Sequence, residues 1–224
     1  MFPLRDTQPS YSKPVVTVLL IVVNLLVFLF EFSLDPYMLN AFIAQYGLIP
    51  DPRYFHVSAI FTSMFVHGGW LHVLGNMWFL WIFGDNIEDI LGHEKFLLFY
   101  IGCGVAAALT QVYFAGDSRV PMVGASGAIA GVMGAYMIKF PRSRILTLIP
   151  IIIFFTTIEL PAWVMLIYWF AIQLFSGVGS ISETQYAQGG TAFFAHVGGF
   201  VAGMVLISLM GTRQRYYRRQ DLYW

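Results

Sequence analysis

Four polar side chains lie inside apolar stretches of the sequence, where polar groups are rare and usually functional. They are His72, Asn76, Ser126 and His196. Ser126 belongs to the small-residue motif Gly124-Ala-Ser126-Gly127. A serine hydroxyl beside an imidazole is a nucleophile with its general base, so this set predicts attack on a peptide carbonyl, with Ser126 as nucleophile and His196 as base.

The two remaining polar side chains predict how the reaction would be stabilised. Ser126 should begin a helix, so its backbone N–H is unpaired and lies at the positive end of the helix dipole. His72 and Asn76 are four residues apart and therefore share one face of a helix. We expect these three groups to surround the oxyanion that forms when the serine attacks.

Few acidic residues accompany this set. Apart from Glu31, no Asp or Glu lies in the half of a predicted membrane span that would hold the site, so His196 is predicted to act in a Ser–His dyad rather than a triad. No H-E-x-x-H zinc motif and no paired intramembrane aspartates occur. Cys103 is the one cysteine, which excludes a disulfide framework and multi-cysteine metal sites. We therefore predict neither a cofactor nor a metal.

The composition indicates what kind of protein must carry these residues. Of 224 residues, 58% are hydrophobic and 11% are charged, and the mean hydropathy is +0.70. A soluble domain normally has about a quarter of its residues charged. Twelve basic and twelve acidic residues cancel, which argues against a nucleic-acid partner. The chain is predicted to be an integral, multi-pass membrane protein with the lipid bilayer as its partner; the sequence does not indicate an oligomeric state.

Six apolar runs predict the transmembrane helices that position the four polar residues. They cover residues 15–32, 70–83, 96–115, 123–140, 162–175 and 193–210. We accordingly predict an all-α membrane protein with an N-terminal tail (1–14), a six-helix bundle domain (15–210) and a basic, aromatic C-terminal tail (211–224). The charged stretch 85–95 is predicted to be a solvated loop.

The distribution of charge predicts the orientation. With six spans, ten of the twelve basic residues fall on the side of the termini, so both termini are predicted to be cytoplasmic. The polar residues then lie at the opposite ends of the second, fourth and sixth spans. Residues 145–160 are apolar but short and rich in β-branched residues. A seventh span there would bring His196 to the wrong side, so we prefer an interfacial segment or a loop.

Small residues predict close contact between the spans that carry the serine and the histidine. Gly127 and Gly131 form a GxxxG pair in the fourth span, and Gly199 and Gly203 form another in the sixth. Such pairs let membrane helices approach closely. Each feature also has an ordinary structural explanation, since membrane serines often bond their own helix and GxxxG is common in packing. The co-occurrence of all four polar residues at one depth favours catalysis.

Three segments together resemble the rhomboid intramembrane serine proteases over roughly residues 57–206. They are His67-Gly-Gly-Trp-Leu-His72-Val-Leu-Gly-Asn76, Gly124-Ala-Ser126-Gly127 and Ala195-His196-Val-Gly-Gly199 with Gly203. The resemblance implies a six-helix core, a Ser126–His196 dyad, and an oxyanion hole of His72, Asn76 and the Ser126 amide. It also implies cofactor-independent cleavage of single-span membrane proteins.

The resemblance carries several further expectations. The fifth helix and residues 176–191 would form a lateral gate and cap. Ala130 stands where some members place an aromatic residue against the histidine ring, so Phe193, Phe194 or Trp78 should orient His196. The lack of an added soluble domain predicts a prokaryotic plasma membrane, with the site opening to the extracytoplasmic side. Two other classes of protein remain as alternatives. A small transporter should carry charged residues at mid-membrane. An inactive rhomboid-like protein that binds client transmembrane helices would usually lack the serine or the histidine.

Overall fold

The computed structural model describes residues 1–151, 154–182 and 192–213. Its helices are α1 (Val15–Ser33), α2 (Pro36–Tyr46), α3 (Ala59–Thr62), α4 (Trp70–Leu91), α5 (His93–Phe114), α6 (Ser126–Lys139), α7 (Ala162–Ser182) and α8 (Phe193–Leu209). Its strands are β1 (Phe2–Asp6), β2 (Arg144–Ile151) and β3 (Phe154–Pro161). The protein is therefore mostly helical.

Two of the described helices are long and apolar enough to cross a membrane on those criteria alone, α1 and α5. Parts of α7 (Ala162–Phe175) and α8 are apolar but shorter. Helix α6 has only 14 residues, and α4 carries three acidic residues near its end. The count of six membrane spans therefore stays a prediction.

Helix α6 lies at the centre of the fold. Every residue from 127 to 136 is buried, and the helix packs against α4, α5 and α8. The two glycine pairs meet: a Cβ at Gly199 would overlap the Gly127 carbonyl, and a Cβ at Gly203 would overlap the Gly131 carbonyl. Because the obstacle is backbone in both cases, glycine is what allows α6 and α8 to lie this close.

Residues 144–151 and 154–161 form the two strands of a β-hairpin, so the all-α prediction is wrong in this respect. Strands β2 and β3 pair antiparallel from Arg144 opposite Pro161 to Ile151 opposite Phe154, and β1 pairs antiparallel with β2. The physical reason is the high content of Ile and Thr, whose branched side chains favour strands. The hairpin is not a seventh helical span, in agreement with the prediction on that point.

The predicted solvated loop at residues 85–95 is also wrong. Helix α4 continues to Leu91, and Glu88 and Asp89 are buried. The first turn of α1 and the chain just before it supply their hydrogen bonds. The backbone N–H groups of Val16 and Thr17 each donate to Glu88 at 2.8 Å, and those of Tyr11 and Ser12 donate to Asp89 at 2.9 Å. Glu88 of α4 therefore caps the N-terminus of α1, which has no side-chain cap of its own.

Candidate active site

Ser126 is the first residue of α6, and a left-handed glycine precedes it by two positions. Gly124 has φ of 117°, and its N–H donates to the Ser63 carbonyl at 2.9 Å. A Cβ at Gly124 would lie 2.6 Å from the His72 Nε2 atom. Glycine thus serves two purposes: it permits the backbone turn that starts the helix, and it leaves room for the imidazole.

His196 lies in the first turn of α8 and contacts the serine. Its Nε2 atom is 2.7 Å from the Ser126 Oγ, and the residue is 7% exposed. On the other side of the ring, Nδ1 is 2.7 Å from the Gln173 Oε1 of helix α7. Because an amide oxygen only accepts, Nδ1 must carry the hydrogen. The Nε2 lone pair is then free to accept the serine hydroxyl proton, as a general base requires.

A tryptophan limits the rotation of this imidazole. The Trp169 and His196 ring centroids are 5.7 Å apart, with 43° between the ring planes. Phe194 instead stacks on Phe114, and the Trp78 indole N–H donates to the Pro3 carbonyl at 2.7 Å, away from the site. Of the residues expected to orient His196 (Phe193, Phe194 or Trp78), Phe194 and Trp78 make these other contacts, and an aromatic ring that packs on His196 is that of Trp169.

The other two predicted residues lie beside Gly124. An atom placed at its Cβ position would be 3.4 Å from the Asn76 Nδ2 as well as close to His72. The Gly68 N–H donates to His72 Nδ1 at 3.4 Å, which leaves the hydrogen on His72 Nε2, facing Gly124. The structure therefore brings His72, Asn76, Ser126 and His196 together at one end of α4, α6 and α8.

His67 orients the Asn76 amide. His67 Nδ1 is 3.2 Å from the Phe65 carbonyl and so carries the hydrogen. Its Nε2 accepts from Asn76 Nδ2 at 3.0 Å. Burial, with a smaller contribution from His72, lowers the pKa of His67 to about 4, so the ring is neutral near pH 7. The second Asn76 amide hydrogen is not used in this contact, and an oxyanion beside Gly124 could accept it.

The space next to the serine is small. A cavity of about 10 Å³ is lined by residues that include Ser63, Ser126 and Ala195. That is near the minimum for one water molecule. Within the described residues, no three His, Cys, Asp or Glu side chains gather as a metal site would need. This cavity could hold one water molecule.

The comparison with protein families agrees with the resemblance in the motifs. The model of the rhomboid domain matches residues 54–213, which include all four polar residues. The chain belongs to the rhomboid family. The match begins after α1 and α2 and ends just after α8, so this rhomboid domain contains the whole candidate site.

Individual rhomboid relatives are similar over parts of the chain. Rhomboid protein 1, mitochondrial, of Saccharomyces cerevisiae is 28% identical over 186 residues, 80% of this chain and 50% of that protein. The zebrafish (Danio rerio) presenilin-associated rhomboid-like protein A, mitochondrial, is 36% identical over 95 residues, 41% of this chain and 25% of that protein. The rhomboid protease GluP of Bacillus subtilis is 33% identical over 131 residues, 56% of this chain and 25% of that protein. This rhomboid chain thus spans between a quarter and a half of these relatives.

These names contradict the predicted prokaryotic plasma membrane. The relatives from yeast, zebrafish and cattle are mitochondrial rhomboid proteins. The prediction failed because the charge bias describes how a chain is oriented in a membrane. It does not identify which membrane that is.

Sequence reasoning missed Gln173, Trp169 and the role of His67. The sequence analysis expected the partner of His196 to be an acid or an aromatic residue outside the fifth span. Gln173 is the one strongly polar side chain between residues 162 and 175, and Trp169 lies one helical turn before it. The sequence therefore marks these two side chains, but whether they contact His196 depends on which face of α7 packs against α8. Part of the predicted gate and cap, residues 183–191, lies outside the described residues.

Proposed function

We propose that this rhomboid protein is an intramembrane serine endopeptidase that cleaves transmembrane segments of single-span proteins. The observation that carries the proposal is the 2.7 Å contact between Ser126 Oγ and His196 Nε2. Each residue comes from a different helix start, and the glycine contacts between α6 and α8 hold the two starts together.

The reaction follows from the hydrogen positions. Ser126 Oγ attacks the peptide carbonyl carbon while His196 Nε2 takes the hydroxyl proton. The oxyanion accepts hydrogen bonds from the Ser126 backbone N–H, Asn76 Nδ2 and His72 Nε2. His196 then gives its proton to the leaving amine, and the C–N bond breaks to leave an acyl-enzyme. A water then attacks the ester carbonyl carbon and gives a proton to His196. The C–O bond to Ser126 breaks, and His196 returns that proton to the Ser126 Oγ.

The membrane arrangement is part of the same proposal. We take residues 15–210 as the protease domain, with six membrane helices and both termini on the side rich in basic residues. The hairpin β2–β3 then belongs to the side of the termini, opposite the site. A substrate segment needs more space than the cavity of about 10 Å³ beside Ser126, and the fifth helix, α7, is the gate that the family resemblance implies.

A serine-reactive probe tests the proposal without a known substrate. The purified protein in mild detergent is treated with a fluorescent fluorophosphonate, together with Ser126→Ala and His196→Ala. Ser208→Ala is the matched control, because the Ser208 hydroxyl bonds to its own helix at the Met204 carbonyl. We expect labelling of the wild type and of Ser208→Ala, and its loss by about 10⁴-fold or more in the two site variants.

The opposite result would favour the inactive, client-binding class. Folded wild-type protein that does not react with the probe, or labelling that survives Ser126→Ala, would overturn the proposed protease. Cleavage of a single-span reporter protein in proteoliposomes, absent with Ser126→Ala, then extends the test from an activated serine to peptide-bond hydrolysis.

A further inference from the structure

Helix α7 presents two side chains to one imidazole. Trp169 and Gln173 are four residues apart and so lie on the same face of α7. The first packs on the His196 ring with centroids 5.7 Å apart, and the second accepts from His196 Nδ1 at 2.7 Å. Helix α8, which carries His196, is itself held to α5 and α6. The position of His196 is thus set by the packing of α8 on α5 and α6, whereas its ring is oriented by α7.

The chemistry of the amide oxygen gives this contact a specific consequence. A free neutral imidazole can carry its hydrogen on either nitrogen, and only the form with Nδ1–H has an Nε2 lone pair for the serine. An acceptor at Nδ1 selects that form, which is the task of the aspartate in a serine-protease triad. Gln173 differs because it carries no charge, so it orients the ring without the full stabilisation that a carboxylate would give the imidazolium.

The ring contact completes the orientation. Trp169 is also 6.1 Å from Phe200 in a stacked arrangement, and Phe170 packs on Phe200 at 4.8 Å. Phe200 lies one turn after His196 in α8, so the indole is supported on the same surface as the imidazole. Rotation of the imidazole about its χ angles would have to displace this aromatic layer.

We propose that Gln173 is a positioning residue that sets the tautomer and direction of His196, as a neutral third member supplied by α7. This inference rests on the proposed protease function. It also means that any displacement of α7 large enough to admit a substrate would act directly on the base, because the same helix face holds both contacts.

The test compares Gln173→Glu and Gln173→Leu by the rate of fluorophosphonate labelling as a function of pH. Gln111→Leu is the matched control: Gln111 Oε1 accepts from the Ala195 N–H at 3.1 Å, so it supports α8 next to His196 without touching the imidazole. Ser126→Ala gives the background, and thermal unfolding shows that each variant is folded.

Gln173→Leu and Gln173→Glu should act in opposite directions on the pH profile. Leucine removes the acceptor, so labelling near pH 7.5 should fall by about 10–100-fold, and the rising limb of the profile should move to lower pH. Glutamate stabilises the imidazolium, so the rising limb should move to higher pH by about one unit or more. The profile of Gln111→Leu should keep the wild-type midpoint, whatever happens to its rate.

Each result distinguishes the two proposals. An unlabelled wild type would overturn the protease function and this inference with it. A labelled wild type whose pH midpoint is unchanged in both Gln173 variants would overturn the positioning role alone and reduce the contact to packing between α7 and α8. If Gln173→Leu does not fold, the nearly isosteric Gln173→Glu decides the question by its midpoint.

Discussion

The side chains around Ser126 and those at the opposite end of the helix bundle are held by different chemistry. At the site end, the contacts among Ser126, His196, Gln173, Asn76 and His67 join uncharged donors and acceptors. At the opposite end, the carboxylates of α4 bind the backbone of the N-terminal segment. One end therefore orients groups that can exchange a proton, and the other holds the chain in place.

The difference follows from what each end must do. A general base has to stay unprotonated until the serine approaches, which buried neutral neighbours favour. A buried carboxylate, in contrast, is tolerated only where enough donors surround it. Glu88 has such donors in the N–H groups of Val16 and Thr17, the Thr17 hydroxyl and His93. We expect changes at the site end to affect rate and changes at the other end to affect stability.

Among the changes that test this comparison, Asn76→Ala should have the largest effect. Loss of one oxyanion donor typically costs about 10²–10³ in kcat, whereas removing the His67 contact should change unfolding little. The measurement is cleavage of a single-span reporter in proteoliposomes. Asn24→Ala is the control, because the Asn24 amide donates only within α1, to the Leu20 carbonyl at 2.7 Å. Equal rates for Asn76→Ala and the wild type would remove Asn76 from the proposed oxyanion hole.

Glu88→Ala should be the most destabilising change at the opposite end. It leaves the first N–H groups of α1 and the Thr17 hydroxyl without an acceptor, and hydrogen bonds to charged groups are worth about 1.5–3 kcal/mol each. We expect the free energy of unfolding to fall by about 3 kcal/mol, while the labelling rate of the protein that remains folded is unchanged.

Thermal unfolding in detergent measures this loss, with Glu94→Ala as control because Glu94 is exposed in the first turn of α5. If Glu88→Ala unfolds like Glu94→Ala, or if it slows labelling of folded protein, the proposed division between the two ends fails.

Gly203→Ala should have an intermediate effect, and it should lower both the stability and the labelling rate. The added methyl group would overlap the Gly131 backbone, so α8 must shift from α6 at a cost of about 1–3 kcal/mol. Because α8 carries His196, labelling should slow as well. Gly75→Ala is the control, since a Cβ there would meet nothing within 4 Å. Wild-type stability in Gly203→Ala would show that the helices do not need this close contact.

The smallest effect concerns Asp6, which accepts from the Tyr136 hydroxyl at 2.5 Å. Burial raises the pKa of Asp6 from 3.8 to about 6; Asp85 also interacts with it electrostatically. The folded protein then binds more protons than the unfolded chain between these values, so stability is greatest below about pH 4 and falls as the pH rises through 6.

We expect this loss to be about 1–2 kcal/mol, since part of the carboxylate is exposed. Asp6→Asn should remove it while the amide oxygen still accepts from Tyr136. Unfolding measured from pH 4 to 7 for both proteins checks the sign. A wild type that gains stability over this range, relative to Asp6→Asn, would contradict the raised pKa.

Local patterns predicted several helices well. The apolar run 15–32 corresponds to α1 (Val15–Ser33), and 193–210 to α8 (Phe193–Leu209). In both, strongly apolar residues are bounded by helix-stopping or polar positions, which is a signal within the segment. The same approach ended the second span near residue 83, because it took the following carboxylates as evidence for solvent. Those carboxylates are buried by a segment more than 70 residues earlier in the chain, which no local pattern reveals.

The sequence by itself determined the family, the mostly helical class and the four polar residues that meet at one end of the bundle. Residue type and spacing along a helix carry that information. Only the tertiary structure decided that residues 145–148 pair with the N-terminal strand, and that Gln173 and Trp169 contact His196. Each of these depends on which face one element turns to another, and that choice is made by the packing of the whole chain.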